Sequence, residues 1–299
     1  MLREYALNFL KLNNGETLAY RETGKTGKTL LLIHGNMSSS VHFDTVMEAL
    51  ENEYKIYAVD LRGFGDSTYH QPIHSLYDFA QDIKEFVLEL NLQDLTVLGW
   101  STGGGVALEL AAELPVQVKK VILLESVGIK GYPMFKKDAN GQLILTERIS
   151  TREEIAVDPV QVLPVLKAFE TKNREFFRTI YNLTIYNMHQ PEPARYERYL
   201  DAIIKQRNLI DVDYALVHFN MTNESNGVRE GSNRIKLINA QVLVIQGEKD
   251  MVVPKMFGLE TKQQLGDQAE LILLDDCGHS PITDNFTKLI EVLTQFMTK

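Results

Sequence analysis

Six short apolar runs alternate with helical patterns along this chain, and this alternation limits its possible folds more than any other feature. Apolar runs of this length are typical of strands that are buried on both faces of a sheet. Strands that alternate with helices predict an α/β fold with a mostly parallel sheet and helices on both of its faces. The runs span residues 29–33, 56–59, 95–98, 118–124, 242–246 and 271–274.

Two further strands are predicted ahead of the first run. Residues 5–12 and 17–20 alternate polar and apolar side chains around Asn14 and Gly15, which is typical of a β-hairpin. Together with the six runs, the hairpin gives an eight-stranded sheet. Amphipathic patterns between the strands predict its helices, at residues 43–50, 76–90, 106–114, 256–265 and 286–297.

The alternation stops near Glu125 and resumes only at residue 242. The intervening segment is too long for a loop and lacks further buried-strand runs. It contains amphipathic helical patterns at residues 160–169, 174–186 and 193–206. We therefore assign residues 1–126 and 236–299 to the sheet-based core, and residues 127–235 to a helical insertion carried on it.

Composition narrows the classes of partner. The chain has 31 Lys and Arg against 40 Asp and Glu, a formal net charge of −9, so nucleic-acid binding is not expected. Its single cysteine, Cys277, excludes an internal disulfide and a cysteine metal cluster. No apolar run reaches the ~18 residues of a membrane span, and residues 1–8 do not resemble a secretion signal. We expect a cytoplasmic protein with a small-molecule partner; whether it forms a homodimer stays open.

A G-x-S-x-G motif centred on Ser101 lies between the run at 95–98 and the helix predicted at 106–114. A tight turn there strains the serine backbone, while Gly99 and Gly103 let neighbouring chain approach closely. The following helix directs its free N–H groups and positive dipole end toward the serine oxygen. Ser101 is therefore the candidate nucleophile. A phosphate-holding turn is the alternative, although no P-loop lysine follows the motif.

A serine nucleophile needs a base and an orienting carboxylate. Of seven histidines, only His279 lies in a loop between a late strand and the last helix. Asp250 follows the fifth run, so both stand at carboxyl ends of parallel strands, the edge where Ser101 also stands. Glu125, at the end of the fourth run, remains a rival for the acid. Asp276 is a weaker candidate because it is too close to His279 in sequence.

The loop after the first run is the candidate second half of an oxyanion hole. The backbone N–H of Asn36 is the preferred donor beside that of Thr102, with Met37 as the second choice. His34, at the start of this loop, is interpreted as a structural histidine.

Five segments follow one another along the core: HGN at 34–36, DLRGFGDS at 60–67, GWSTGG at 99–104, GEKD at 247–250 with VVP at 252–254, and GH at 278–279. In this order they resemble the α/β-hydrolase-fold superfamily, from about residue 16 to the C-terminus except the insertion. The resemblance implies the α/β-hydrolase fold, a triad of Ser101, Asp250 and His279, and no cofactor. It also implies that residues 127–235 form a helical cap over the site. A serine in the nucleophile position is unlike the branches resembling epoxide hydrolases and haloalkane dehalogenases, which carry aspartate.

These residues predict a serine hydrolase that cleaves a small-to-medium carboxylic ester through an acyl-enzyme, and nothing in that chemistry requires a metal. The substrate pocket is predicted to include Trp100, Met37, Tyr132 and Phe177. The same triad also suits hydrolysis of a lactone, a thioester or a carbon–carbon bond next to a carbonyl. A ligand receptor that keeps the fold without turnover is the alternative from another class.

Overall fold

A single eight-stranded sheet forms the centre of the fold. The computed structural model describes residues 2–24 and 27–299. The strands found in these ranges are β1 (Leu7–Lys11), β2 (Thr17–Glu22), β3 (Lys28–Ile33), β4 (Tyr54–Val59), β5 (Leu95–Trp100), β6 (Val118–Leu124), β7 (Phe135–Lys137), β8 (Leu143–Arg148), β9 (Gln241–Gly247) and β10 (Ala269–Leu274).

The order of strands across the sheet is β1-β2-β4-β3-β5-β6-β9-β10. Strand β2 runs antiparallel to both β1 and β4, and the other neighbours are parallel. The predicted mostly parallel, eight-stranded sheet is therefore confirmed. So is the first hairpin, whose turn has Gly15 at a φ of 89°, a left-handed conformation that favours glycine.

Helices cover both faces of the sheet, as predicted. The side chains of β3 alternate: Leu31 and Ile33 join an apolar cluster with the helices at 76–89 and 102–113, whereas Leu30 and Leu32 join a second cluster with those at 44–50 and 286–298. The helices in the described ranges are α1 (Asp44–Leu50), α2 (Leu76–Glu89), α3 (Thr102–Glu113), α4 (Arg152–Ala156), α5 (Leu163–Glu170), α6 (Arg174–Thr184), α7 (Pro193–Ile203), α8 (Leu209–His218), α9 (Lys255–Leu265), α10 (Pro281–Asp284) and α11 (Phe286–Thr298). Each helix of residues 2–24 and 27–299 is too short or too polar to cross a membrane.

The segment 127–235, called the insertion below, contains helices α4 to α8. Helices α5, α6 and α7 lie in the three segments where amphipathic patterns predict helices. The insertion also contains a two-stranded antiparallel sheet of β7 and β8, which the sequence does not predict. Its apolar side chains face outward, with Leu143 54% and Leu145 70% exposed, so they do not form the pattern of a buried strand.

Candidate active site

Five loops converge on one edge of the sheet, because each follows the carboxyl end of a parallel strand. Strands β3, β5, β6, β9 and β10 all run in the same direction. The residues that follow them are Asn36, Ser101, Glu125, Asp250 and His279, respectively. The topology therefore brings the candidate nucleophile, base, acid and oxyanion donor to one place.

Ser101 lies in a sharp turn between β5 and α3. Its φ of 55° and ψ of −120° are strained for a residue with a side chain. The glycines on either side are required by close packing. A Cβ on Gly99 would lie 2.2 Å from the carbonyl oxygen of Gly103, and a Cβ on Gly103 would lie 2.2 Å from that of Ile33. The turn thus presents Ser101 at the strand edge, with the backbone at Gly99 against Gly103 and the backbone at Gly103 against Ile33.

Helix α3 begins at Thr102, earlier than the start predicted at residue 106. Three consecutive glycines make residues 103–105 poor intrinsic helix formers. Close packing requires a glycine here, because a Cβ on Gly104 would lie 2.0 Å from the Ser126 hydroxyl. Tertiary packing therefore overrides the low helix propensity of these glycines. The early start makes Thr102 the first residue of the helix, so its N–H points out of the helix end.

His279 is held in one orientation by the residues around it. Its Nδ1 lies 2.8 Å from Oδ2 of Asp250, and both side chains are buried. The other oxygen of Asp250 accepts hydrogen bonds from the N–H groups of Val252, at 2.7 Å, and Val253, at 2.9 Å. The indole of Trp100 donates to the carbonyl oxygen of His279 at 2.9 Å. These contacts leave Nε2 of the imidazole as the ring nitrogen available for a proton transfer.

The charge state of Asp250 follows from these contacts. Burial, the largest single influence, raises the pKa of its carboxyl, and the charge of His279 lowers it. Hydrogen bonds from His279, Glu125 and Val253 act in the same direction and bring the pKa below its ordinary value. Asp250 is therefore an ionised carboxylate at neutral pH, the state that stabilises a positive imidazolium.

Glu125, the rival acid, is fully buried behind Asp250. Its oxygens accept hydrogen bonds from the N–H of Gly247, at 2.7 Å, and from the side-chain amide of Gln246, at 2.6 Å. Burial, followed by the charge of Asp250, raises the pKa of Glu125 well above its ordinary value. Among the hydrogen bonds of the described residues, none joins Glu125 to His279. Glu125 thus holds its proton more tightly than an ordinary glutamic acid, and Asp250 is the carboxylate in contact with the imidazole.

Ser101 and His279 both line a cavity of about 340 Å³ between the strand edge and the insertion. The Ser101 hydroxyl makes no hydrogen bond to another residue of the described ranges, as is common in unliganded sites whose contacts tighten on substrate. The cavity wall consists of Asn36, Met37, Ser101, Thr102, Val127, Tyr132, Met134, Val160, Gln161, Val165, Phe176, Ile180, Thr184, Ile185, Leu209, Asp213, Leu216, Met251, Val252, Val253 and His279.

Two of the four predicted pocket residues, Met37 and Tyr132, line this cavity, whereas Trp100 and Phe177 do not. Trp100 is the last residue of β5, and its ring packs under the site with Phe43 in the second apolar cluster. Phe177 is fully buried within the insertion, and its neighbour Phe176 lines the cavity instead. Successive residues of a helix point about 100° apart, so a shift of one position exchanges a wall residue for a core residue.

Two backbone N–H groups form the candidate oxyanion hole. Neither Asn36 nor Thr102 donates its backbone N–H to an acceptor elsewhere in residues 2–24 and 27–299. By contrast, the N–H of Met37, the second choice, already donates to Oε1 of Gln206 at 2.9 Å. The loop lies directly against the nucleophile, since a Cβ on Gly35 would lie 2.8 Å from the Cβ of Ser101. The geometry therefore favours Asn36 over Met37.

Two polar residues of the insertion that were not predicted as site residues bind the loop at Asn36 and Met37, called the oxyanion loop below. The side-chain amide of Gln206 donates to Oδ1 of Asn36 at 2.7 Å, and the Asn36 amide donates to Oδ1 of Asp213 at 3.2 Å. A polar residue in an amphipathic pattern normally indicates a solvated face, so nothing in the sequence marks these two. His34 has the expected structural role, because its Nε2 accepts the N–H of Leu61 at 3.0 Å.

The described part of the chain contains no cluster of three or more His, Cys, Asp or Glu side chains that could hold a metal ion. The polar groups around Ser101 are an imidazole hydrogen-bonded to a buried carboxylate and two backbone N–H groups without an acceptor in the described ranges. This set suits nucleophilic attack on a carbonyl carbon.

Comparison with known proteins gives consistent matches. A family model described as alpha/beta hydrolase fold matches residues 28–286. The chain is 26% identical to a pimeloyl-[acyl-carrier protein] methyl ester esterase of Nitrosospira multiformis, over 94% of this chain and 99% of that protein. It is also 26% identical to lipase 1 of Psychrobacter immobilis, over 92% of this chain and 78% of the lipase. The solved structure of an esterase from Exiguobacterium antarcticum, 20% identical, superposes with a TM-score of 0.74 over 97% of this chain and 99% of that chain, a likeness of fold.

Proposed function

The chain belongs to the alpha/beta-hydrolase family, and from that premise we propose that it is a serine hydrolase cleaving small-to-medium carboxylic esters through an acyl-enzyme on Ser101. One observation carries the proposal. Ser101, at a strained strand-to-helix turn, lines the same cavity as His279, whose Nδ1 lies 2.8 Å from the buried carboxylate of Asp250. The activities of the relatives, an esterase and a lipase, support an ester as the bond cleaved.

In the first half of the reaction, Oγ of Ser101 attacks the ester carbonyl carbon while Nε2 of His279 takes the hydroxyl proton. Asp250 accepts a hydrogen bond from the Nδ1–H of His279 and stabilises the imidazolium. The carbonyl oxygen becomes an oxyanion and accepts hydrogen bonds from the N–H groups of Asn36 and Thr102. Each such donor stabilises the transition state by about 3–4 kcal/mol in comparable sites. When the ester C–O bond breaks, His279 gives its proton to the departing alcohol oxygen.

In the second half, water attacks the acyl-enzyme carbonyl and His279 takes one proton from it. The same two N–H groups hold the second oxyanion. The bond to Ser101 then breaks, the serine oxygen regains its proton from His279, and the carboxylic acid leaves. The free enzyme is restored, and each step uses only residues of this chain and water.

The insertion is proposed to be the cap that sets substrate choice. It contributes most of the cavity wall, including Tyr132, Met134, Phe176 and Leu216, while Ser101 and its partners come from the core. A cavity of about 340 Å³ lies at the lower end of the ~300–1,000 Å³ range of small-molecule sites. This size supports small-to-medium esters as substrates.

A substrate panel tests the proposal. We expect wild type to hydrolyse short and medium aryl and alkyl esters, and Ser101→Ala to fall to the background rate. Faster turnover of lactones, thioesters or diketones than of every ester would replace the ester assignment while keeping the triad. Binding of such compounds with no turnover by wild type would contradict an enzyme and favour a receptor.

A further inference from the structure

We propose that Asp213 makes this site selective for esters that carry a hydrogen-bond donor, above all an ammonium group, in the part of the substrate that lies against α8. The inference rests on the proposed esterase function and adds a substrate class to it. It also implies that esters bearing a carboxylate in that position are poor substrates.

The cavity wall is largely apolar, and Asp213 interrupts it. Aliphatic and aromatic side chains from the insertion make up most of the surface facing the nucleophile. Among the residues that the structure describes, Asp213 is the one that contributes a carboxyl group to that wall. A carboxyl group in such surroundings is costly unless its acceptor positions are satisfied. The Asp213 carboxyl is therefore the position in the cavity wall where a polar group of the substrate would bind.

The carboxyl group of Asp213 is only partly satisfied. Oδ1 accepts one hydrogen bond, from the side-chain amide of Asn36 at 3.2 Å. Within residues 2–24 and 27–299, Oδ2 accepts no hydrogen bond, and no Lys or Arg forms an ion pair with Asp213. Asp213 is only partly buried, and it lines the cavity, so a ligand in the cavity can reach it. Asn36 links it to the loop whose N–H is the candidate oxyanion donor.

Asp158, whose charge acts on Asp213, shows what a satisfied carboxylate looks like here. Asp158 is fully buried and forms an ion pair with Lys137. Its other oxygen accepts hydrogen bonds from the N–H groups of Val160, at 3.0 Å, and Gln161, at 2.7 Å. Asp158 is thus paired within the protein, whereas Asp213 has no counter-ion among residues 2–24 and 27–299. A cationic or hydroxyl-bearing substrate would supply the missing donor.

The charge of Asp213 depends on pH in the neutral range. Burial raises its pKa to about 7, the charge of Asp158 adds to the rise, and the hydrogen bond from Asn36 opposes it. The carboxyl is therefore ionised above neutral pH and uncharged below it. Four other titratable groups lie around Asp213. Lys137 is paired with Asp158, and Asp211, on the same helix as Asp213, is paired with Arg152. The Tyr132 hydroxyl donates to the carbonyl of Val252, and His279 lies across the cavity.

Selectivity should therefore change with pH in a defined direction. Above neutral pH, the Asp213 carboxylate attracts an ammonium group and repels a carboxylate. The ratio of kcat/KM for an ammonium ester to that for its uncharged isostere should rise as pH rises through about 7.

The experiment compares matched esters in two series. In one series the acyl chain of a para-nitrophenyl ester ends in an ammonium, a methyl or a carboxylate group, over several chain lengths. In the other series the same groups end the alcohol part of an acetate ester. The enzymes are wild type, Asp213→Asn, and Asp211→Asn as the control with the same substitution on the same helix outside the cavity wall.

Above neutral pH we expect wild type and Asp211→Asn to prefer the ammonium ester over the methyl ester by roughly ten- to 100-fold in at least one series. Asp213→Asn should lose that preference and its pH dependence, and it should gain activity on carboxylate esters. Equal rates for ammonium and methyl esters in wild type, or a preference that Asp213→Asn retains, would overturn the proposal.

These outcomes separate the two proposals. Hydrolysis of uncharged esters that disappears in Ser101→Ala leaves the esterase assignment standing even where Asp213 has no effect. Calorimetric titration with an n-alkylammonium ion reads the Asp213 contact without turnover. Tighter binding to wild type than to Asp213→Asn above neutral pH supports the proposal, and equal binding overturns it.

Discussion

The strand edge of the core and the wall formed by the insertion differ in how their polar groups are bonded. At the edge, the carboxylate of Asp250 contacts His279 and two backbone N–H groups, so its geometry is fixed before any substrate arrives. In the wall, Asp213 has a single hydrogen-bond partner among the described residues and faces a largely apolar cavity. The contrast teaches that the reacting groups are preorganised by the protein, while the recognition surface keeps an acceptor for the substrate. Chemistry and selectivity should then respond to different mutations.

The largest effect is expected from the base. His279→Ala removes the group that moves the Ser101 proton, so kcat should fall by several orders of magnitude. His218→Ala, on the insertion and outside the cavity wall, is the control and should keep most activity. Steady-state kinetics on one ester decide the matter, and a larger loss for His218→Ala would move the chemistry away from the strand edge.

The two buried carboxyl groups of the edge provide the next comparison. Asp250→Asn removes the charge that holds the imidazole tautomer, and kcat should fall about 10⁴-fold with little change in melting temperature. Glu125→Gln replaces a carboxyl group that makes no hydrogen bond to His279 within the described ranges with an amide of similar shape, so it should keep most activity. The opposite ranking, on the same ester at the same pH, would make Glu125 the acid of the triad.

Gln206 tests whether the two regions are as separate as the contrast suggests. It belongs to the insertion, yet it holds the oxyanion loop through Asn36 and the N–H of Met37. Gln206→Ala should lower kcat roughly ten- to 100-fold, less than deletion of an oxyanion donor, with KM little changed. A raised KM at constant kcat would show instead that Gln206 contacts the substrate and acts only in recognition.

Neighbouring phenylalanines on α6 sharpen the comparison within the insertion. Phe176→Ala enlarges the cavity and should shift relative kcat/KM toward bulky esters by roughly tenfold. Phe177→Ala leaves a hole in the buried core and should lower the free energy of unfolding by about 3–5 kcal/mol without changing that ratio. Denaturant titration and paired ester kinetics measure both. Equal selectivity shifts in the two variants would mean that the wall acts through stability alone.

The smallest effect concerns stability and pH. The pKa of Asp213 is about 7 in the folded chain, above its ordinary value of 3.8, so the folded state binds the proton more tightly than the unfolded state. The free energy of unfolding therefore falls as pH rises from about 4 to about 7. Asp213→Asn should melt a few degrees higher than wild type above neutral pH and equally in acid. A constant difference in melting temperature across this range would contradict the raised pKa.

Much of the fold, and the grouping of the candidate site residues at one edge, could be predicted from sequence for a topological reason. Buried parallel strands have a strong apolar signature, and their carboxyl ends must meet at one edge. Residues immediately after those ends, such as Ser101, Asp250 and His279, are therefore brought together by chain order alone. The α/β-hydrolase fold that this order implies is confirmed by the sheet topology and the family match.

The recognition surface could not be predicted in the same way. Whether Phe176 or Phe177 faces the cavity depends on the rotation of α6, which is set by packing of helix on helix. Asp213 meets Asn36 across 177 positions of sequence, and no local pattern encodes that pairing. The hairpin of β7 and β8 is exposed, and its apolar run at residues 143–145 is shorter than those of the predicted sheet strands. Contacts within the insertion are long-range, so they appear only in three dimensions.

Covalent labelling tests the central claim, that Ser101 is the nucleophile of a preorganised edge, most directly. Wild type treated with a fluorophosphonate should gain the mass of one adduct, and peptide mapping should locate it on Ser101. Ser101→Ala should remain unlabelled under the same conditions, and His279→Ala should react far more slowly because its serine lacks a base. An adduct that persists in Ser101→Ala, or that maps to another residue in wild type, would contradict the account.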